Sequence, residues 1–200
     1  MNTNSTVSFF SPDNYFIDEK VGLFKFSNAY KLYNDQGVQI GNIVQNVPGF
    51  HKVLRLIFNK QMMPFMLDIK DMNDNVQVTI QRGWTFWMSK ISISDASGNL
   101  LGKVSQKFRF FKPNFEISDS AENTIARITG DWKAWNFSIE NPSGNSIGSI
   151  NKKWAGAMKE IFTTADKYHV SIVPEYKEDF KKVAILASAI TIDMVFNESK

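Results

Sequence analysis

The residues with the most evident binding chemistry lie in KVSQKFRFFKP, Lys103–Pro113. Strand alternation places Lys103, Lys107 and Arg109 on one face and turns Phe108 and Phe110 to the other. Three cations on one face could hold anionic lipid headgroups, each contributing about 1 kcal/mol near such a surface. A second group, Lys152, Lys153 and Lys159, flanks Trp154. The blander reading of either group is a solvated basic face over buried aromatic side chains. Interleaved aromatic and basic residues also suit single-stranded nucleic acid, but only if the rings are exposed to stack on bases. No nucleic-acid partner is expected.

Other chemistries find little support. His51 and His169 are the two histidines, far apart in sequence and without clustered acids, which argues against a histidine metal site. The absence of cysteine excludes disulfides, thiolate catalysis, zinc-cysteine sites and palmitoylation. GNLLGK, Gly98–Lys103, has one residue too few between its glycines for a phosphate loop, lacks the following Ser or Thr, and sits in a hairpin context. The pairs Trp84/Trp87 and Trp132/Trp135 read as core or rim packing. No Ser-His-Asp arrangement or acid pair stands out, so a binding protein is expected rather than an enzyme.

Composition sets the wider bounds. Two hundred residues carrying 17 Phe and 5 Trp suffice for one domain with a sizeable core. A net charge of +3 and a pI near 9.0 favour anionic surfaces without resembling a nucleic-acid tail. The start MNTNSTVSFFSPDNYF lacks a basic region followed by an apolar one. The expectation is a cytoplasmic protein, peripheral at a membrane if it meets one.

The elements that must position these residues are hairpins. From Phe65 to Trp154 short apolar/polar alternations are broken by Asn, Asp, Gly and Ser, the pattern of antiparallel strands and tight turns. The register repeats after 48 residues: Leu67, Ile69, Asp71, Asn75, Val78 and Ile80 map onto Phe115, Ile117, Asp119, Asn123, Ala126 and Ile128. SDASGNLLGKVSQKF likewise aligns with ENPSGNSIGSINKKW, and LYNDQGVQIGNIVQ is a shorter echo.

VAILASAITIDMVF, Val183–Phe196, is apolar on every face and so wants protein all around it. At about 21 Å it is too short to span a bilayer core of about 30 Å, and it contains Asp193. Repeated one-faced strands need a filling and the helix needs a sleeve. The expected fold is therefore mainly β: a closed antiparallel barrel enclosing a hydrophobic C-terminal helix at about 181–196. A β-sandwich with a helix on one face is the alternative. One domain over 15–198 follows a flexible N-terminal segment, 1–14.

Gly148, Ile150, Lys152, Trp154, Gly156, Glu160, Phe162, Thr163, Asp166, Ile192 and Asp193 fall on the pattern Gly-x-Ile-x-Lys-x-Trp-x-Gly, then Glu-[Val/Ile]-Phe-Thr, then an apolar helix with Ile-Asp. In this the chain resembles the phospholipid scramblase family, within the Tubby-like and LURP-one-related proteins. The resemblance implies a barrel of about twelve strands around the helix, lipid binding at a membrane surface and, in the scramblases, transbilayer lipid movement. It also implies a calcium loop beginning at Thr164, with Asp166 and the late acid Glu175 as ligands, although one leading carboxylate is missing and His169 stands at the turn glycine. Calcium is the one cofactor raised. Two functions follow: a peripheral binder or scrambler of anionic phospholipid, or a soluble Tubby-like ligand-binding or protein-interaction module without scrambling activity.

Overall fold

A computed structural model describes residues 8–20, 29–46, 63–84, 90–107, 114–131, 134–152, 167–176 and 180–197. Twelve strands close into one antiparallel barrel in chain order, with the first pairing the last. They are β1 (Asn14–Lys20), β2 (Ala29–Tyr33), β3 (Gln39–Asn46), β4 (Phe65–Asp71), β5 (Val76–Arg82) and β6 (Lys90–Asp95). Then follow β7 (Leu100–Lys107), β8 (Asn114–Asp119), β9 (Thr124–Asp131), β10 (Asn136–Glu140), β11 (Ser146–Asn151) and β12 (Lys167–Ile172). Closure rules out the sandwich alternative and leaves no sheet edge among these strands.

The period-2 pattern explains which way the strands face. Leu67, Ile69, Val78, Ile80, Ile91, Ile93, Val104, Phe115 and Ile117 are buried on the inner face, while Lys103, Ser105, Glu116 and Ser118 alternate outward. The 48-residue shift is two hairpins, β4–β7 repeated as β8–β11.

Five hairpins end in the same five-residue loop: Asn34–Val38, Asp71–Asn75, Asp95–Asn99, Asp119–Asn123 and Asn141–Asn145. In each, the first residue's side-chain oxygen accepts a hydrogen bond from the backbone N–H of the last, and the fourth residue has positive φ. A one-residue register shift follows in each pair. Such a turn needs a left-handed residue, and Gly37, Gly98 and Gly144 supply it without steric cost. Asp74 and Glu122 occupy the same position at φ 63° and 67°.

Because the strands alternate in direction, these five loops share one end of the barrel, here called the crown. The connections β1–β2, β3–β4, β5–β6, β7–β8, β9–β10 and β11–β12 leave from the other, the crossover end.

The helix α1 (Phe180–Asn197) enters from the crown side. Every side chain from Lys182 to Ile192 is buried, as expected for a helix ringed by protein. Its polar members are satisfied locally: Ser188 Oγ donates to the Ala184 carbonyl at 2.6 Å and Thr191 Oγ1 to the Ala187 carbonyl at 2.8 Å. Asp193 falls in the helix, with its side chain outside the described residues.

Residues 8–13 lie at the crown. Phe10 joins the core, and Lys182, 1% exposed, donates to Asp13 Oδ1 at 2.9 Å and to the Ser11 carbonyl at 3.0 Å. A buried ammonium needs oxygen partners, and this segment provides them.

Candidate functional site

Antiparallel pairing builds two rows across the outer face of the barrel. One runs Gln81–Ser92–Lys103–Ser118 and the other Lys90–Ser105–Glu116–Arg127–Glu140. Between them lies an open groove of approximately 690 Å³, walled by Lys90, Lys103 and Lys107, the hydroxyls of Ser92, Ser105 and Ser118, and Glu116 and Glu122.

The electrostatics of this groove differ from a plain basic face. Lys103 Nζ donates to Glu122 Oε1 at 2.6 Å, and Lys107 Nζ lies 3.2 Å from Glu116 Oε1, with Arg127 at 3.9 Å from the other oxygen. The hydrogen bond from Lys103, and then its charge and that of Lys90, hold the Glu122 carboxyl below its ordinary range. Lys90 makes no ion pair within 4 Å among the described residues. These pairs are exposed and contribute little to stability, so a ligand can exchange with them.

Of the five cations singled out in sequence, Lys103 and Lys107 line the groove, while Arg109 and Lys153 lie outside the described residues. Lys152 follows β11, four strands away from β7. Its Nζ stands 4.4 Å over the Trp135 ring, and its backbone N–H donates to the Trp135 carbonyl at 3.2 Å. Trp135 is buried against Phe137 and Tyr168 and adopts φ 49°, which accords with a packing role. Trp84, in contrast, is 47% exposed just beyond β5. Trp87, Trp132, Trp154 and Lys159 lie outside the described residues.

The stretch that the resemblance reads as a calcium loop is described from residue 167 onward. Residues 167–172, which should curl around an ion, form β12, and His169 sits within it, its Nε2 3.0 Å from Asn14 Oδ1 and its ring stacked on Phe16. Burial holds its imidazole below its ordinary range. Asp166 lies outside the described residues, immediately before this strand, while Glu175 is exposed in the 3₁₀ turn Pro174–Tyr176 after it. Among the described residues no group of three His, Asp or Glu side chains could hold a metal.

Sequence reasoning found the two groove lysines but missed Lys90, the three serines and the two glutamates. Those partners come from neighbouring strands and, for Glu122, from the β8–β9 turn, and only the register across β6–β7 and β7–β8 brings them together.

The sequence matches the Scramblase family over residues 19–199. The chain belongs to the Scramblase family. No curated protein matches the sequence. Among solved structures, a protein from Arabidopsis thaliana superposes with a TM-score of 0.54 at 11% identity, covering 94% of this chain and 95% of that one. At that identity the likeness concerns the fold alone: the closed barrel with its C-terminal helix. For this Scramblase-family barrel, no helix among the described residues is long and apolar enough to cross a membrane.

Proposed function

We propose that this Scramblase-family barrel binds phospholipid headgroups at a membrane surface, and that the groove between β5 and β8 is where it does so. The observation that carries the reading is the convergence of Lys90, Lys103 and Lys107 on Ser92, Ser105 and Ser118 in an open groove. Ammonium and hydroxyl donors together suit a phosphate, and the two glutamates can release the lysines to it. The reading is of a binding protein rather than an enzyme, and it needs neither calcium nor nucleic acid.

Association through the surface suits the distribution of side chains. The outer face carries Lys, Glu, Arg and Ser on β6–β9 and the inner face is apolar, the inverse of a barrel that faces lipid with its outside. The helix fills the interior, so lipid movement across a bilayer would have to use the outer surface. Transbilayer movement is thus the more demanding part of the proposal, and a soluble Tubby-like interaction module without scrambling is the second reading.

Co-sedimentation with phosphatidylcholine vesicles, with and without phosphatidylserine and with and without calcium, tests it. Binding only to the anionic vesicles, unaffected by calcium and weakened at least about tenfold by Gln at Lys90, Lys103 and Lys107, is expected. No association with any vesicle sinks the lipid reading in favour of the interaction module. Reconstitution with fluorescent lipid then separates binding from flipping.

A further inference from the structure

We infer that Glu116 determines the headgroup specificity of the groove: it accepts a primary ammonium from the ligand, so the groove takes phosphate esters that carry such an ammonium. This rests on the phospholipid-binding reading above and names the headgroup chemistry within it.

The row Lys90–Ser105–Glu116 runs straight across β6, β7 and β8. Along it the groove wall presents a cation, a hydroxyl and a carboxylate, in that order. Neighbouring strands lie about 4.8 Å apart, so the backbones of Lys90 and Glu116 are roughly 10 Å from one another with Ser105 midway. A phosphate over Ser105 has Lys90 on one side. An ammonium joined to that phosphate by a two-carbon link falls toward Glu116 on the other.

Glu116 already holds a group of this kind. Its Oε1 lies 3.2 Å from Lys107 Nζ, and Arg127 lies 3.9 Å from its Oε2. A headgroup ammonium is the same functional group as the lysine's, so one replaces the other on Oε1 and the charge-assisted hydrogen bond is kept. Lys107 is then released to the phosphate. With Lys107 and Glu116 49% and 29% exposed, the pair is weakly held and open to this exchange.

Charge counting disfavours a plain anion. The groove wall sets Lys90, Lys103 and Lys107 against Glu116 and Glu122. A phosphate without an ammonium recruits Lys107 only by leaving Glu116 to Arg127, at 3.9 Å. A headgroup with both charges satisfies lysine and glutamate together. Glu122 has a different part: it sits in the Asp119–Asn123 turn, outside the row, and neutralises Lys103 at 2.6 Å. Choline fits no better than a plain anion. A trimethylammonium has no N–H to donate and is recognised by aromatic faces, and no aromatic ring lines the groove among the described residues.

Phosphatidylserine and phosphatidylglycerol have the same net charge, and only the first carries an ammonium. Co-sedimentation with phosphatidylcholine vesicles containing equal fractions of one or the other separates ammonium recognition from surface charge. About fivefold tighter binding to the serine lipid is expected, shrinking to within about twofold in Glu116→Gln as binding to the glycerol lipid rises. That retained glycerol-lipid binding shows that the variant is folded. Glu122→Gln frees Lys103 and tightens binding to both lipids while their ratio stays. Equal binding of the two lipids by the unaltered protein, or a preference that survives Glu116→Gln, overturns the inference. Should no vesicle bind, the phospholipid reading falls, and amide NMR shifts on titration with O-phosphoethanolamine or inorganic phosphate decide the inference alone. Larger shifts at Ser105 and Glu116 with the first sustain it; equal shifts, or none, overturn it.

Discussion

Gly102 on β7 and Ala184 on α1 bring the helix close against the barrel wall: a Cβ at position 102 would lie 3.1 Å from Ala184 Cβ and 2.6 Å from the Ser118 carbonyl oxygen. Neither neighbour can yield, one being helix packing and the other sheet backbone. Gly102→Ala is therefore expected to destabilise the protein by about 1–3 kcal/mol, as overpacked cores do. Ser105→Ala, three residues further along β7 and on its outer face, is expected to stay within about 0.5 kcal/mol. Urea unfolding of both checks the contrast.

The crown turns give a pH prediction. Asp95 has its folded-state pKa lowered: slight burial raises it, and the hydrogen bonds from Asn99, Ser97 and Gly98 lower it by more. A depressed carboxyl contributes stability that is complete above its unfolded-state value and is lost as pH falls through the folded value. Stability should hold from neutral pH down to the ordinary carboxylate range and fall below it. Asp95→Asn keeps the acceptor for Ser97 and Asn99, the role that Asn34 and Asn141 already fill in their own loops. It should flatten this acid limb, measurable by urea titrations between neutral pH and about pH 3.

Asp74 and Glu122 hold the left-handed position that glycine holds in the other three loops. Asp74→Gly should raise stability by up to about 1 kcal/mol by relieving the backbone. Glu122→Gly should act in the same direction and also release Lys103 from its ion pair, so binding to anionic vesicles should tighten. A melting temperature that falls for both variants would contradict the strain assignment.

Lys182 and Asp13 tie the helix start to the N-terminal segment. Asp13→Ala removes a carboxylate from a lysine that is 1% exposed, and a loss of about 3 kcal/mol is expected. Lys182→Met, which removes the buried charge itself, should cost less. Equal losses would mean that the ammonium is not the strained partner.

Much of this fold was legible because it is periodic. Apolar alternation such as Leu67-Asp68-Ile69 marks an inner and an outer face, Asp/Asn-x-x-Gly marks the crown turns, and the helix's all-round apolarity calls for enclosure. Ser11 and Asp13 were not legible: they meet Lys182 of the helix about 170 positions away and leave no local period. The site was half legible for the same reason. Lys103 and Lys107 stand on one strand, but Glu116 and Glu122 reach them from the next hairpin, and Lys90 from the strand before. The calcium reading carried a resemblance of loop residues across a stretch whose second half, residues 167–172, pairs with β1 and β11 as a strand.

The pairing of β1 with β12 has a consequence for how the chain is made. On a ribosome β1 emerges first, and its outer partner exists only once eleven further strands have followed; α1, which fills the middle, is synthesised after all of them. Until then a growing sheet presents Ile, Val and Phe with nothing to cover them, and the contacts that finish the barrel are the most distant in sequence. Such an order makes folding slow and leaves the nascent chain exposed to self-association. Expression yield should therefore respond to chaperone supply more strongly than native stability alone would suggest, and truncation ahead of α1 should release an aggregating chain.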